Sequence, residues 1–475
     1  MTAALTRVPQ WLALGATCAA ALVFAAVIAV QPLLAVGAVA AAGIFALAFL
    51  RPAAHLTALL FVTAVVPYGI QNRYGFGSGA GLILSDVMLA AALLWAVPVV
   101  AQRRLDRRSA YAVTAIAAML AVATLQAFRS WYMGGDLSQS GYELRVLAGW
   151  ATIVVALPLL QDRAARARLF AGMLVVGILV GLYGLIQYFE LLGYYAEGDA
   201  GLREGVRFTS SGKGQIQGGL FAFPVGVLIG FAVLTANVAL PRAAKAALMA
   251  LVVLNAIGLL LTYERTFWIA VVAGLGLIAL RAGLVQRLRL AVLLTSVVLI
   301  AAPVLATVAP GALSAAAERA LSLNQYGSDN SIRYRLQEGR HVADKIQEHP
   351  LIGSGLADQI FFGLPWLQTP PSAQSFAHNG YLWLAWKIGI PAALILFLTV
   401  AWAVVARPPP GDPLFRAVRL GAQASMLVML VVSVTFPSFS ALHITAVAGV
   451  LLALCLYGSP ARDGRGATRA PSGPA

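Results

Sequence analysis

The stretch RARLFAGMLVVGILVGLYGLIQYFEL, residues 166–191, decides the class of fold. After Arg166 and Arg168 it runs uncharged from Leu169 to Phe189. At ~1.5 Å per helical residue that run is long enough to cross a hydrocarbon core ~30 Å thick. Within such a core every backbone N–H and C=O must be satisfied inside the segment, so the run forms a helix. Working outward in both directions, similar apolar runs recur. Fourteen are read, from Trp11–Val30 and Pro32–Leu50 to Val146–Leu160, Tyr381–Val405 and Phe439–Leu456. Ala53–Pro67 is short enough to be re-entrant, so 12–14 spans are expected. The composition agrees: 60% of the 475 residues are hydrophobic and 11% charged, against roughly 25% charged in soluble domains. A soluble enzyme and a disordered chain are both excluded. Cys18 and Cys455 lie in distant apolar runs and build no disulfide framework.

The connections between runs alternate in charge. One set, from Arg7 through Arg103–Arg108, Arg163–Arg168 and Arg281–Arg289 to Arg462–Arg469, holds 20 of the 33 Lys and Arg with four acidic residues. The other set is close to neutral. The positive-inside rule puts the basic set, with both termini, in the cytoplasm. The net charge of +15 is thereby a topology signal and an attraction to anionic lipid, not a nucleic-acid footprint. Residues 1–308 are read as eleven transmembrane helices, 309–377 as one large periplasmic loop, and 378–457 as three further helices. Residues 458–475, rich in Pro, Gly, Ala and Arg, are expected to form a disordered cytoplasmic tail.

Three outer connections are long enough to hold a site: Arg129–Arg145, Glu190–Gln215 and Ala309–Ala377. Within the last, Arg335–Glu348 reads as a helix lying along the membrane surface. Its apolar face is Leu336, Gly339, Val342, Ala343 and Ile346; Gln337, Glu338, Asp344, Lys345 and Glu348 cover the rest. His349-Pro350 ends it. Cations are scarce on this side, which makes Arg265, Arg333 and Arg335 informative. Arg265 lies 20 residues beyond Lys245, ~30 Å of helix, at the outer surface. It either lines a polar cavity or snorkels beside Glu264. Arg333 and Arg335 are either a solvated pair or anion ligands. His378 either carries chemistry or merely opens a helix that Asn379 caps. Lys387, inside a run, is expected to snorkel outward. No HExxH or paired-acid motif falls in an outer loop, and Walker A and GxGxxG are absent. No metal, nucleotide or other cofactor is expected.

Three motifs carry a likeness. Leu261-Thr262-Tyr263-Glu264-Arg265-Thr266-Phe267-Trp268 looks like "T-x-S-R-x-x-W". Arg335 followed by His349-Pro350-Leu351-Ile352-Gly353-Ser354-Gly355 looks like "R…hP-L-x-G-x-G". Ala377-His378-Asn379-Gly380-Tyr381-Leu382 is similar to "A-H-N-x-[YF]-L". In this order, before one long outer loop's end, they resemble the O-antigen ligase and O-antigen polymerase superfamily of bacterial polysaccharide-assembling membrane proteins. Glu264 replaces the usual small residue. Arg207-Phe208-Thr209-Ser210-Ser211-Gly212 departs from the family's "G-T-F-x-N-P-N".

The resemblance implies an all-α polytopic protein of the bacterial inner membrane. It implies an inverting glycosyltransferase that moves a glycan from an undecaprenyl-diphosphate carrier to a glycan, lipid A–core or other acceptor on the periplasmic face. His378, Arg265 and Arg335 would then be catalytic; Arg333, Asn379 and Arg207 would join Arg265 and Arg335 around diphosphate and glycan. These residue types suit the task, since arginine offers forked, permanent donors to phosphate and imidazole exchanges protons near neutral pH. The alternative is a polysaccharide or lipid-linked-sugar transporter or flippase. Bidentate binding by Arg335 predicts severe loss of transfer in Arg335→Lys and a milder effect in Arg333→Ala. Glycan profiling of cells carrying each variant checks this, and equal loss in both would point to the wrong arginine.

Overall fold

The computed structural model describes residues 42–66, 83–103, 105–189, 207–208, 214–215, 220–309, 311–321, 330–364, 369–407 and 412–458. The expected span Trp11–Val30, most of Glu190–Gln215 and the tail from 459 onward lie outside them. The elements, in chain order, are α1 (Pro52–Val65), α2 (Leu84–Gln102), α3 (Arg107–Tyr132), α4 (Leu137–Gln161, with a 3-10 turn at Gly149–Ala151) and α5 (Arg163–Tyr188). The hairpin β1 (Arg207–Phe208) and β2 (Gly214–Gln215) precedes α6 (Ala222–Thr235), α7 (Arg242–Leu261), α8 (Arg265–Arg281) and α9 (Leu284–Val308). Then come α10 (Ala312–Leu321), α11 (Asn330–Glu348), and the antiparallel hairpin β3 (Ile360–Leu364) and β4 (Thr369–Gln374). Last are α12 (Gly380–Ile388), α13 (Ile390–Val405), α14 (Pro413–Val432) and α15 (Leu442–Leu456).

Among the described residues, seven helices are long and apolar enough to cross a membrane, and four shorter apolar ones pack with them. The chain is thus an all-α membrane protein. In α4 and α14, 78% and 72% of the apolar window is buried, against 17% in α9. The first two are therefore inner helices, while α9 faces the surroundings of the bundle. One end of the bundle gathers connections of the arginine-rich set. Arg108 Nη1 donates to the Arg407 carbonyl (2.9 Å), Arg419 Nη1 to the Tyr457 carbonyl (2.9 Å), and the Gly458 N–H to Asp106 (3.1 Å).

Four expectations need correction. First, Arg129–Arg145 is not a long connection: α3 runs on to Tyr132 and α4 begins at Leu137. Asp136 caps α4 by accepting the Ser138 N–H at 2.8 Å. Charge had hidden this stretch. Glu143 and Arg145 sit inside α4, and both are neutralised by partners remote in sequence: Lys387 at 3.0 Å and Asp86 at 2.9 Å.

Second, the run Tyr381–Val405 is two helices. They break at Gly389, whose φ is +83°. A side chain there would run into the Leu351 carbonyl. Third, Lys387 does not snorkel; it is fully buried, bonded to Glu143 and to the Asp358 carbonyl (2.6 Å). Fourth, α11 begins at Asn330, and its buried stripe is rotated from the expected apolar face, keeping Val342 but losing Leu336 and gaining Glu338. Leu336 is 62% exposed, whereas Val342 and the carboxylate-bearing Glu338 are buried. The stripe Tyr334, Glu338, Val342, with four-residue spacing, faces α12 instead.

The segment after α11 is clamped onto the α12–α13 break. Ser354 N–H donates to the Trp386 carbonyl (2.8 Å) and Ile390 N–H to the Pro350 carbonyl (2.9 Å). Arg129 Nη1 donates to the Gly353 carbonyl (2.8 Å). Gly353, at φ +76°, stands so close that a Cβ would meet the Gly389 nitrogen at 2.5 Å. Glu143 closes the clamp by accepting the Ala357 N–H (3.0 Å). Breaking a buried pair strands a charge, at ~3–5 kcal/mol. Lys387→Met is therefore expected to lower the thermal unfolding temperature sharply. The Lys387→Met/Glu143→Met double variant recovers part of the loss, and unfolding curves in detergent measure both.

Candidate functional site

The site is assembled from α11 and the start of α12. Asn379 opens α12, its Oδ1 accepting the Leu382 N–H at 3.0 Å. The residue before it, His378, is thereby held at the helix start. Glu338 reaches it from α11, 1% exposed. One carboxylate oxygen accepts the His378 backbone N–H at 2.8 Å, and both lie at 3.0 and 3.2 Å from Nδ1. A carboxylate accepts, so this geometry puts the ring proton on Nδ1 and leaves the lone pair on Nε2.

The imidazole is also gripped by rings. Tyr334 and Phe376 stand edge-on to it, with centroids at 5.4 and 5.5 Å. The Tyr334 hydroxyl is bonded to Gln374. Burial pushes the Tyr334 phenol above its ordinary range; Gln374 opposes the rise and the nearby Glu338 charge adds to it. The phenol therefore stays a neutral donor. The His378 side chain remains 27% exposed, so the ring is fixed but reachable.

Arg265 is the first residue of α8. The turn before it is tightly built. Thr262 Oγ1 donates to the Leu259 carbonyl (2.7 Å) and accepts the Glu264 N–H (3.2 Å), and Trp268 Nε1 returns to the same Leu259 carbonyl (3.0 Å). Tyr263 is buried in the left-handed region at φ +53°, a strained conformation for a bulky residue.

The connection after α14 joins the two halves. Thr266 and Thr435 hydroxyls meet at 2.8 Å, Phe267 packs edge-on to Phe436 at 5.2 Å, and the Gly380 N–H donates to the Ser433 carbonyl at 2.8 Å. The chain neighbours of Arg265 and of His378 thus meet at residues 433–436, at one end of the bundle. Arg333 and Arg335 sit in the first turns of α11, within five residues of Glu338. Arg335 is half-buried and Arg333 exposed. Arg207 pairs with Gln215 in the β1–β2 hairpin, and among the described residues no contact joins it to His378.

Glu338 is the residue sequence reading missed, having assigned it to the solvated face of α11. The available signal was its place four residues before Val342, on a stripe that also holds Tyr334. Among the described residues no group of three or more His, Cys, Asp or Glu side chains gathers as a metal site.

If Glu338 fixes the imidazole, Glu338→Ala frees the ring from its Nδ1 partner without touching α8. Proton-coupled NMR of labelled His378 is expected to show loss of the single Nδ1–H form. An unchanged tautomer would mean that the aromatic grip alone suffices.

Two comparisons bear on the chain. Residues 250–397 match the family model described as O-Antigen ligase. No curated protein matches the chain. The matched segment holds Arg265, Arg333, Arg335, Glu338, His378 and Asn379 together, and over it this membrane protein is similar to the O-antigen ligase family.

Proposed function

We propose that the chain is a glycosyltransferase that moves a glycan from an undecaprenyl-diphosphate carrier to an acceptor hydroxyl, as an O-antigen or exopolysaccharide polymerase or an O-antigen ligase. The reading places the reaction on the periplasmic face of a bacterial inner membrane, with the arginine-rich end of the bundle in the cytoplasm. The observation that carries it is a buried carboxylate holding an accessible histidine at the bundle end where Arg265 begins α8. Such a histidine serves a hydroxyl nucleophile, and a nearby arginine serves a phosphate leaving group.

In this mechanism His378 Nε2 takes the acceptor proton as the oxygen attacks the anomeric carbon. The bond from that carbon to the diphosphate breaks with inversion, and undecaprenyl diphosphate leaves with the bonding pair. Arg265 and Arg335 donate to the diphosphate oxygens as charge gathers there. Fixed donors of this kind contribute about 3–4 kcal/mol each. Arg333 and Asn379 lie beside this path. Arg207 remains a more distant glycan contact, since no described residue links its hairpin to His378. The chemistry as proposed uses no metal or other cofactor.

The number of spans suits transport, but coupled transporters usually carry ionisable groups at mid-membrane, and here Lys387 is the main charge inside a run. Lys387 has a structural task with Glu143, and the Glu338–His378 pair has no evident use in a carrier.

The test is direct. Purified protein is incubated with undecaprenyl-diphosphate-linked glycan and either a second carrier-linked unit or lipid A–core, and the product is identified by mass spectrometry. Elongated carrier-linked glycan assigns a polymerase; glycan on lipid A–core assigns a ligase. His378→Ala is expected to lower the rate by ~10²–10⁴-fold, with Arg265→Ala similarly impaired and both proteins still folded in the membrane. Near-normal product from either variant removes that residue from the site.

A further inference from the structure

A cavity of about 290 Å³ lies between α1, α5, α6, α7, α14 and α15, lined by apolar residues and glycine. Along α5 its wall extends from Ala167 to Val180, ~20 Å of helix. It is a long slot rather than a round hole. α8 contributes nothing to it, so it is not a groove beside Arg265.

One end of the slot is cationic. Arg163 and Arg166 stand one turn before the lining residues Ala167 and Phe170, on the same stripe of α5. Lys245 stands one turn before the lining residue Leu248 on α7. Arg163 and Lys245 are exposed, while Arg166 lies over the Phe415 ring at 5.3 Å and donates to the Leu160 carbonyl at 3.3 Å. The acids nearest this end are Asp162 and Asp412. Both accept backbone N–H groups as helix caps, from Ala165 at 2.6 Å and Leu414 at 2.9 Å.

The cationic end is remote from the candidate site. α7 starts at Arg242 beside it and ends at Leu261, four residues before Arg265, so ~30 Å separates the two. A carrier diphosphate held at these cations could not reach His378.

We propose that the slot seats an acyl chain of an anionic phospholipid whose phosphate is held by Arg163, Arg166 and Lys245. The apolar wall removes the chain from contact with neighbouring lipid. The three cations select the headgroup, as basic pockets between helices do for anionic lipids. This assignment is independent of the transfer reaction.

Native mass spectrometry of the full chain in detergent tests it, with dioleoyl-phosphatidylglycerol and dioleoyl-phosphatidylcholine as probes. One phosphatidylglycerol is expected to be retained in preference to phosphatidylcholine by about tenfold or more. Ala171→Trp, which fills the slot, and the triple variant Arg163→Gln/Arg166→Gln/Lys245→Gln should each abolish that preference. Size-exclusion profiles report folding; should Ala171→Trp misfold, the triple variant alone decides. Equal retention of both lipids, a preference that survives in the triple variant, or displacement of phosphatidylglycerol by undecaprenyl phosphate at lower concentration would overturn the proposal.

Discussion

Backbone meets backbone where Gly353 passes Gly389, and the segment after α11 is seated on the bundle by that approach. The bundle supplies a broken helix whose exposed peptide groups need partners; the segment after α11 supplies them. Neither side accommodates a Cβ at the crossing. The Lys387–Glu143 pair then fixes the depth of the clamp, since Glu143 also holds the Ala357 N–H. Helix α11 is the immediate neighbour of this clamp in the chain, so its position over α12 is set there. The Glu338–His378 contact is a consequence of that geometry.

Two motifs quoted from the sequence thus turn out to have different duties. The His349–Gly355 stretch binds the chain to itself: its glycines carry positive φ and its carbonyls accept from Gln126 and Arg129. The Ala377–Gly380 stretch presents a side chain, with Asn379 and Gly380 building the helix start that holds His378 in place.

The helical class of the fold was legible in Leu169–Phe189 and its counterparts, because hydrocarbon permits few other structures. Reading failed where charge is buried. Glu143, Arg145 and Lys387 look like loop or interfacial residues until their partners, many residues away, are known. The helix over Asn330–Glu348 was visible through its period, but its rotation was not. One buried carboxylate outweighed the exposed Leu336, since desolvating Glu338 is offset by two hydrogen bonds to His378. Arg265 could be placed by counting residues along α7. Its neighbourhood could not, because Thr435 and Phe436 come from a connection with no motif of its own.

The segments that build the histidine's surroundings emerge from the ribosome late and out of spatial order. Glu338 is made first, His378 follows forty residues later, and the Ser433–Phe436 buttress comes after three more helices. When His378 is made its carboxylate partner is therefore already in the chain, while the buttress beneath both is not. The order of synthesis thus leaves the His378–Glu338 contact without its buttress until α14 has been made.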